Sequence, residues 1–226
     1  MFVPGLLCTG ALYAPQIDAF SARTECIVAD HTRQDSMRAI VESILEAAPE
    51  RFHLVGLSMG GYIALEMAEH APERMKKLVL MDTSAQADRP EQTVFRRELM
   101  ATAREEGIDP VIDRLLPLFI EKSRLSDTAL IETVRKMARD TGVDAFVRQQ
   151  TAIIGRKDAR PDLADIACPT LVVCGDADSL TPPELSHEIA AGITGARLEL
   201  IAGSGHLTTL EKSEAVNALL ADFLEL

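Results

Sequence analysis

The 226 residues are enough for one large α/β domain, or for a core domain with a modest insertion. Hydrophobic residues make up 47% and charged residues 26%, a globular balance that excludes a disordered chain. The net charge of −12, from 35 acidic against 23 basic residues, argues against nucleic-acid binding, which needs a positive surface to neutralise phosphates.

The opening MFVPGLLCTG has neither the basic segment nor the long apolar run of a signal peptide. No stretch approaches the roughly eighteen apolar residues of a transmembrane helix. The four cysteines, Cys8, Cys26, Cys168 and Cys174, show no CxxC or Cys/His spacing, so they read as reduced thiols and no metal site is expected. These features predict a soluble, cytoplasmic protein.

In chain order, short apolar runs alternate with helical patterns, as in a parallel sheet covered by helices. The strand candidates are Phe2-Val3, Cys26-Ile27-Val28-Ala29, Phe52-His53-Leu54-Val55, Leu78-Val79-Leu80-Met81, Thr170-Leu171-Val172-Val173-Cys174 and Arg197-Leu198-Glu199-Leu200-Ile201. Met37, Ile40, Val41, Ile44 and Leu45 follow helical spacing, with Ser36 placed as N-cap. Tyr62 to His70 and Ala215 to Leu224 read as further helices. Residues 90–160 hold no convincing strand; helical patterns run around 91–106, 109–122, 127–140 and 143–154. That segment lies between two strands of one sheet, so 85–161 reads as an inserted helical cap, with 1–84 and 162–226 forming the core.

Within this frame, Gly56-Leu57-Ser58-Met59-Gly60 fits G-x-S-x-G, a nucleophile elbow between a strand and a helix. A serine on so sharp a turn needs neighbours without side chains two positions before and after it. The helix that follows aims its first N–H groups at a bound carbonyl oxygen. Gly61 then permits close packing of that helix. The pentapeptide alone is weak; its strand-to-helix setting makes it specific.

A serine hydroxyl needs a base. Among the five histidines, His53 lies within a strand, and His70 and His187 fall on helical patterns. His31 follows the second strand candidate and stays in contention by position. His206, in Gly203-Ser204-Gly205-His206 directly after the last strand, is the preferred base. For the acid that orients the imidazole, Asp82, Asp176 and Asp178 all lie just past strand ends, and chain order permits each.

Taken together, GLSMGG, GDADSLTPPE and GSGH, in that order and spacing, resemble the α/β-hydrolase fold superfamily across essentially the whole chain. Within it the chain is most similar to small bacterial carboxylesterases and 3-oxoadipate enol-lactonase-like hydrolases. The run from Arg156 through Glu184 is similar to the return from cap to core in that group. The resemblance implies a mostly parallel sheet flanked by helices, with a helical cap. Because the chain starts almost at the loop after the family's third strand, it implies about six strands and a short N-terminus. It implies Asp178 as the triad acid, with Asp82 second.

It also implies an oxyanion hole from the backbone N–H groups of Met59 and of Leu6, in Val3-Pro4-Gly5-Leu6, where proline replaces the family's usual histidine. The activity implied is cleavage of a small ester, thioester or lactone through an acyl-enzyme, with no metal or organic cofactor. Phe95, Leu99, Leu116, Phe119 and Ile120 are the candidate substrate-binding residues of the cap, and Arg156 or Arg160, near the cap's return, a candidate partner for a substrate carboxylate. The expected partner is the small-molecule substrate, with neither nucleic acid nor membrane, and self-association to a homo-oligomer stays open. Three rivals accompany this reading: C–C bond hydrolysis or lyase chemistry on the same triad, cofactor-free perhydrolysis, and a weakly catalytic binding module.

Overall fold

Apolar β-branched runs bounded by turns build one sheet in the computed structural model, which describes residues 1–226. Its strands are β1 (Phe2–Val3), β2 (Phe52–Leu57), β3 (Met75–Met81), β4 (Thr170–Gly175) and β5 (Arg197–Ile201), all parallel and ordered β1-β2-β3-β4-β5. Every residue of β4 is buried, as expected of a strand covered on both faces. The edge strand β5 is partly exposed.

The expected strand at 26–29 shrinks to a single parallel bridge, Phe2 to Val28. The Phe2 N–H donates to the Ile27 carbonyl at 2.7 Å and the Ala29 N–H to the Phe2 carbonyl at 2.9 Å. β1 is only two residues long, so its neighbour has no further ladder to join. The sheet therefore has five strands plus that bridge, against the six expected.

Helices α1 (Ala14–Phe20), α2 (Met37–Ala47) and α3 (Met59–His70) flank the first half of the sheet. α2 forms on its apolar spacing: Met37, Ile40, Val41 and Ile44 are buried, and the Ser36 hydroxyl accepts the Ala39 N–H at 3.3 Å. Between β3 and β4 come α4 (Pro90–Glu106), α5 (Ile108–Phe119) and α6 (Thr128–Ile154), with no strand among them. α6 joins the two helical patterns expected around 127–140 and 143–154, broken at Gly142, where φ is 74°. α7 (Pro183–Gly192), α8 (Thr208–Glu211) and α9 (Ser213–Leu224) complete the chain. A single apolar core runs from the sheet into α4, α5 and α6. No helix is long and apolar enough to cross a membrane.

Because the strands are parallel, the loops after β1, β2, β3, β4 and β5 open on the same sheet edge. That edge carries Leu6, Ser58, Asp82, Asp178 and His206.

Candidate active site

Ser58 sits between β2 and α3 with φ 56° and ψ −114°, a strained conformation for a residue with a side chain. The strain is held by close backbone approach on both sides. A Cβ on Gly56 would collide with the Gly60 carbonyl, and one on Gly60 with the Val3 carbonyl oxygen. The Ser58 N–H donates to the Met81 carbonyl at 2.9 Å, and the Ser58 carbonyl accepts from the Thr83 hydroxyl at 2.8 Å. The elbow is thus locked to β3 and to the loop after it.

The loop after β1 lies directly against the elbow: a Cβ on Gly5 would stand 3.3 Å from the Ser58 Cβ. Neither the Leu6 nor the Met59 N–H finds a backbone acceptor. Leu6 is nearly buried and Met59 fully so, leaving two donors unspent beside Ser58.

His206 and Asp178 meet in the interior. Asp178 Oδ2 lies 2.8 Å from His206 Nδ1 and accepts the Thr181 hydroxyl at 2.7 Å. Its Oδ1 accepts the Leu180 and Thr181 N–H groups at 2.9 and 3.0 Å. These bonds leave Asp178 no freedom except to face the imidazole. His206 Nε2 is buried with no hydrogen-bond partner, so the Ser58 hydroxyl does not reach it in this arrangement. Catalytic contacts of this kind often tighten only with substrate present.

The GSGH loop is not a loose segment. His206 is 1% exposed, its N–H donates to the Phe119 carbonyl at 3.0 Å, and its ring stacks on Phe119 at 5.8 Å between centroids. Glu211 braces the same loop, its carboxylate accepting the Glu121 N–H at 2.9 Å and the Leu207 N–H at 3.3 Å.

Electrostatics separate the candidate acids. Burial opposes charge on Asp178, but His206 and the Thr181 groups outweigh it and hold the carboxyl below its usual range. Burial likewise opposes the imidazolium of His206, yet Asp178 outweighs it and raises the histidine above its usual value. Asp82 differs. Burial, then the Asp178 charge, push it well above the carboxylate range. It spends its oxygens on the Gly175 N–H at 2.9 Å and the Thr208 hydroxyl at 2.5 Å, not on His206. Asp176 accepts the Gly203 N–H at 2.8 Å and serves its own loop. Burial pushes the Cys8 thiol up to about 12, which removes it as a nucleophile.

A cavity of about 250 Å³ opens onto Ser58 and Leu6. Of the candidate substrate-binding residues, Phe95, Leu99, Phe119 and Arg156 line it, whereas Leu116 and Ile120 are buried in the core away from it. Leu115, four residues before Phe119 on one face of α5, takes the place expected of Leu116. Asp178, His206 and Met59 stand behind the wall, where Thr181 and Phe119 are the surfaces presented.

Several lining residues were not singled out in the sequence: Tyr62, Arg96, Gln150 and Thr181. Only Thr181 carried a signal, its place in the run that ends Thr-Pro. Arg156 is held through Nε and Nη1, donating to the Gln86 carbonyl at 3.0 Å, the Ile153 carbonyl at 2.9 Å and Asp88 at 2.6 Å, with Tyr62 4.2 Å beneath it. Arg96 shares that buried Asp88 at 2.8 Å and donates to Gln150 Oε1 at 2.9 Å. Arg160 pairs with Asp158 and Glu188 outside the cavity.

The family model for the alpha/beta hydrolase fold matches residues 4–213. The chain belongs to the α/β-hydrolase family. Among relatives of this hydrolase is the 2-hydroxy-6-oxononadienedioate/2-hydroxy-6-oxononatrienedioate hydrolase of Paraburkholderia xenovorans, 30% identical over 90% of this chain and 72% of the relative. A thermophilic esterase from Thermogutta terrifontis, solved with malate bound, superposes with a TM-score of 0.89 at 25% identity, covering 99% of this chain and 88% of that one. The enol-lactonase from Burkholderia xenovorans shares the fold, with a TM-score of 0.87 at 24% identity, covering 100% and 91%.

Proposed function

We propose that this α/β-hydrolase cleaves a small carboxylic ester or lactone through an acyl-enzyme on Ser58. In the first step Ser58 Oγ attacks the carbonyl carbon while His206 Nε2 takes the hydroxyl proton. Asp178 accepts the Nδ1–H bond and stabilises the imidazolium. The Leu6 and Met59 N–H groups bond to the oxyanion as it forms. Collapse expels the alkoxide, which takes the proton back from His206. Water then attacks the acyl-enzyme with the same proton relay, releasing the acid and restoring Ser58.

The observation that carries the reading is the buried His206 ring, fixed by Asp178 at 2.8 Å and left with Nε2 unpartnered. A buried nitrogen lone pair without a partner costs free energy, and a reaction that uses it is a reason for the fold to retain it. The elbow strain at Ser58 and the two unspent N–H donors support the same chemistry.

The cavity supports a small substrate with an acidic group. At about 250 Å³ it falls just below the usual range of roughly 300–1,000 Å³ for ligand pockets. Arg89, Arg96 and Arg156 line it against one acid, Glu184, in a chain whose net charge is −12. Asp88 neutralises part of that charge from behind. The malate carried by the Thermogutta esterase fits this preference.

The test is hydrolysis of short p-nitrophenyl esters and of matched esters with a free carboxylate, by wild type and Ser58→Ala. Loss of turnover and of fluorophosphonate labelling in the variant is the expected result; equal turnover would overturn the assignment of the nucleophile. The Paraburkholderia relative favours one second reading, C–C bond hydrolysis on the same residues. Product analysis on a vinylogous diketone acid separates the two: release of an acid and an enol from that compound, with no ester cleavage, selects the second.

A further inference from the structure

The proposed oxyanion donor at Leu6 belongs to a peptide unit whose other end is held by side chains distant in sequence. The Gly5 carbonyl, on the same peptide as the Leu6 N–H, accepts the Cys8 N–H at 3.1 Å and lies 3.1 Å from His31 Nε2. The chain has no cis peptide, so the Leu6 N–H points opposite to that carbonyl, away from His31. The next N–H, on Leu7, donates to Gln149 Oε1 at 3.2 Å. Leu7 holds φ at 58°, a conformation that a leucine adopts only when its surroundings impose it.

His31 and Gln149 also touch each other, Nε2 to Nε2 at 3.1 Å, and both are buried. Because the Leu7 N–H can only donate, it fixes Gln149 with its oxygen toward the loop and its amide nitrogen toward His31. A neutral imidazole has one proton to place. On Nε2 it is donated to the Gly5 carbonyl; on Nδ1 it leaves Nε2 to accept from Gln149. In either tautomer the ring is wedged between the β1 loop and α6.

Residues on both sides of Gln149 extend this clamp. Arg148 donates to the Thr32 carbonyl at 2.8 Å, beside His31, and Gln150 lines the substrate cavity while holding Arg96. Three successive residues of α6 therefore grip the His31 loop, the oxyanion loop and the cavity wall.

We infer that His31 and Gln149 are positioning residues that set the direction of the Leu6 N–H and tie it, through α6, to the substrate cavity. This inference rests on the serine-hydrolase reading. Removing one oxyanion donor outright costs about 10²–10³ in rate; misaiming it costs less, about 10- to 100-fold.

The test uses the purified full chain with p-nitrophenyl acetate, and an aryl trifluoromethyl ketone whose adduct with Ser58 carries the same oxyanion. Gln149→Met removes both amide groups at similar volume. It is expected to lower kcat about 10- to 100-fold with KM within about threefold, and to weaken the ketone by the same factor. His31→Gln, which keeps a donor for Gly5, is expected to recover at least about tenfold of the kcat that His31→Leu loses. Should Gln149→Met fail to fold, Gln149→Asn carries the same expectation by withdrawing the amide one methylene. A folded Gln149 variant with kcat and ketone affinity within about threefold of wild type overturns the inference. Ser58→Ala in the same assay separates the failures. If it is inactive while the Gln149 variants are unaffected, only the positioning role falls; if it turns over like wild type, the serine reading falls with it.

Discussion

Replacing Asp178 and Asp82 one at a time by asparagine separates an orienting acid from a buried structural one. In Asp178→Asn the amide keeps an oxygen for the Leu180 and Thr181 N–H groups, so the loop stays folded. At the other position an NH₂ now faces His206 Nδ1 and the Thr181 hydroxyl, where two bonds were accepted before. The imidazole must then turn its lone pair to Nδ1 and its proton to Nε2, the nitrogen that has to accept from Ser58. In a serine triad that tautomer error costs about 10⁴-fold in kcat, which is ~5.5 kcal/mol of barrier.

Asp82 predicts the opposite. Burial and the nearby Asp178 charge push its carboxyl well above the usual carboxylate range, and Asp82→Asn keeps the shape of that group in an amide that bears no charge. The Gly175 N–H keeps its acceptor, and Thr208 can accept where it donated. Turnover within about threefold of wild type is expected. The assay is kcat on p-nitrophenyl acetate at pH 8, with circular dichroism to establish folding. Asp178→Asn retaining a tenth of wild-type turnover, with Asp82→Asn falling a thousandfold, would refute this reasoning and make Asp82 the acid.

Because Asp178 raises His206 above its ordinary value of 6.5, kcat/KM is expected to rise with pH along a limb centred above 6.5. The sign for stability is opposite: the raised His206 contributes stability fully present below 6.5 and lost as pH climbs through its folded value, so denaturant midpoints should fall as activity appears. Asp178, held below 3.8, contributes stability present above 3.8 and lost as pH falls through its lower folded value, which an acid-denaturation series of Asp178→Asn would reveal by its absence. Gly60→Ala drives a methyl into the Val3 carbonyl oxygen, which cannot rotate away; a loss of about 3 kcal/mol and a fall of about 6–12 °C in Tm are expected by scanning calorimetry. Leu99→Ala opens the apolar wall of the cavity and should shift the preferred acyl chain to longer p-nitrophenyl esters, at a stability cost of about 2–5 kcal/mol.

The strand β2, the elbow and the helix α2 were legible because each rests on local chemistry: an apolar run, side-chain-free positions, and helical spacing behind a capping serine at Ser36. The choice among Asp82, Asp176 and Asp178 was not legible in the residues themselves, because all three follow strand ends. Only packing reveals that Asp176 is spent on Gly203, Asp82 on Gly175 and Thr208, and Asp178 on His206. Leu115 rather than Leu116 faces the cavity because a one-residue phase error on a helix turns a side chain by about 100°. The bridge at Val28 fell short of a strand because its partner, β1, ends after two residues. Nothing local distinguishes Gln149 and Gln150 from surface glutamines; Gln149 is buried against loops more than a hundred residues away, and Gln150 is held by Arg96 of α4.

That distance bears on how the site holds its shape. Ser58 is fixed by glycines four residues apart and by β3, whereas the β1 loop and the His206 loop are each held by groups from the helices between β3 and β4. Gln149 takes the Leu7 N–H, the Phe119 carbonyl takes the His206 N–H, and Glu121 is joined to Glu211. The same helices line the cavity through Phe95, Leu99, Phe119 and Gln150. A substrate that presses on this wall therefore presses on the supports of both the proposed base and the proposed oxyanion donor. Changes in the wall should accordingly alter kcat together with KM, while changes confined to the elbow glycines should act first on stability.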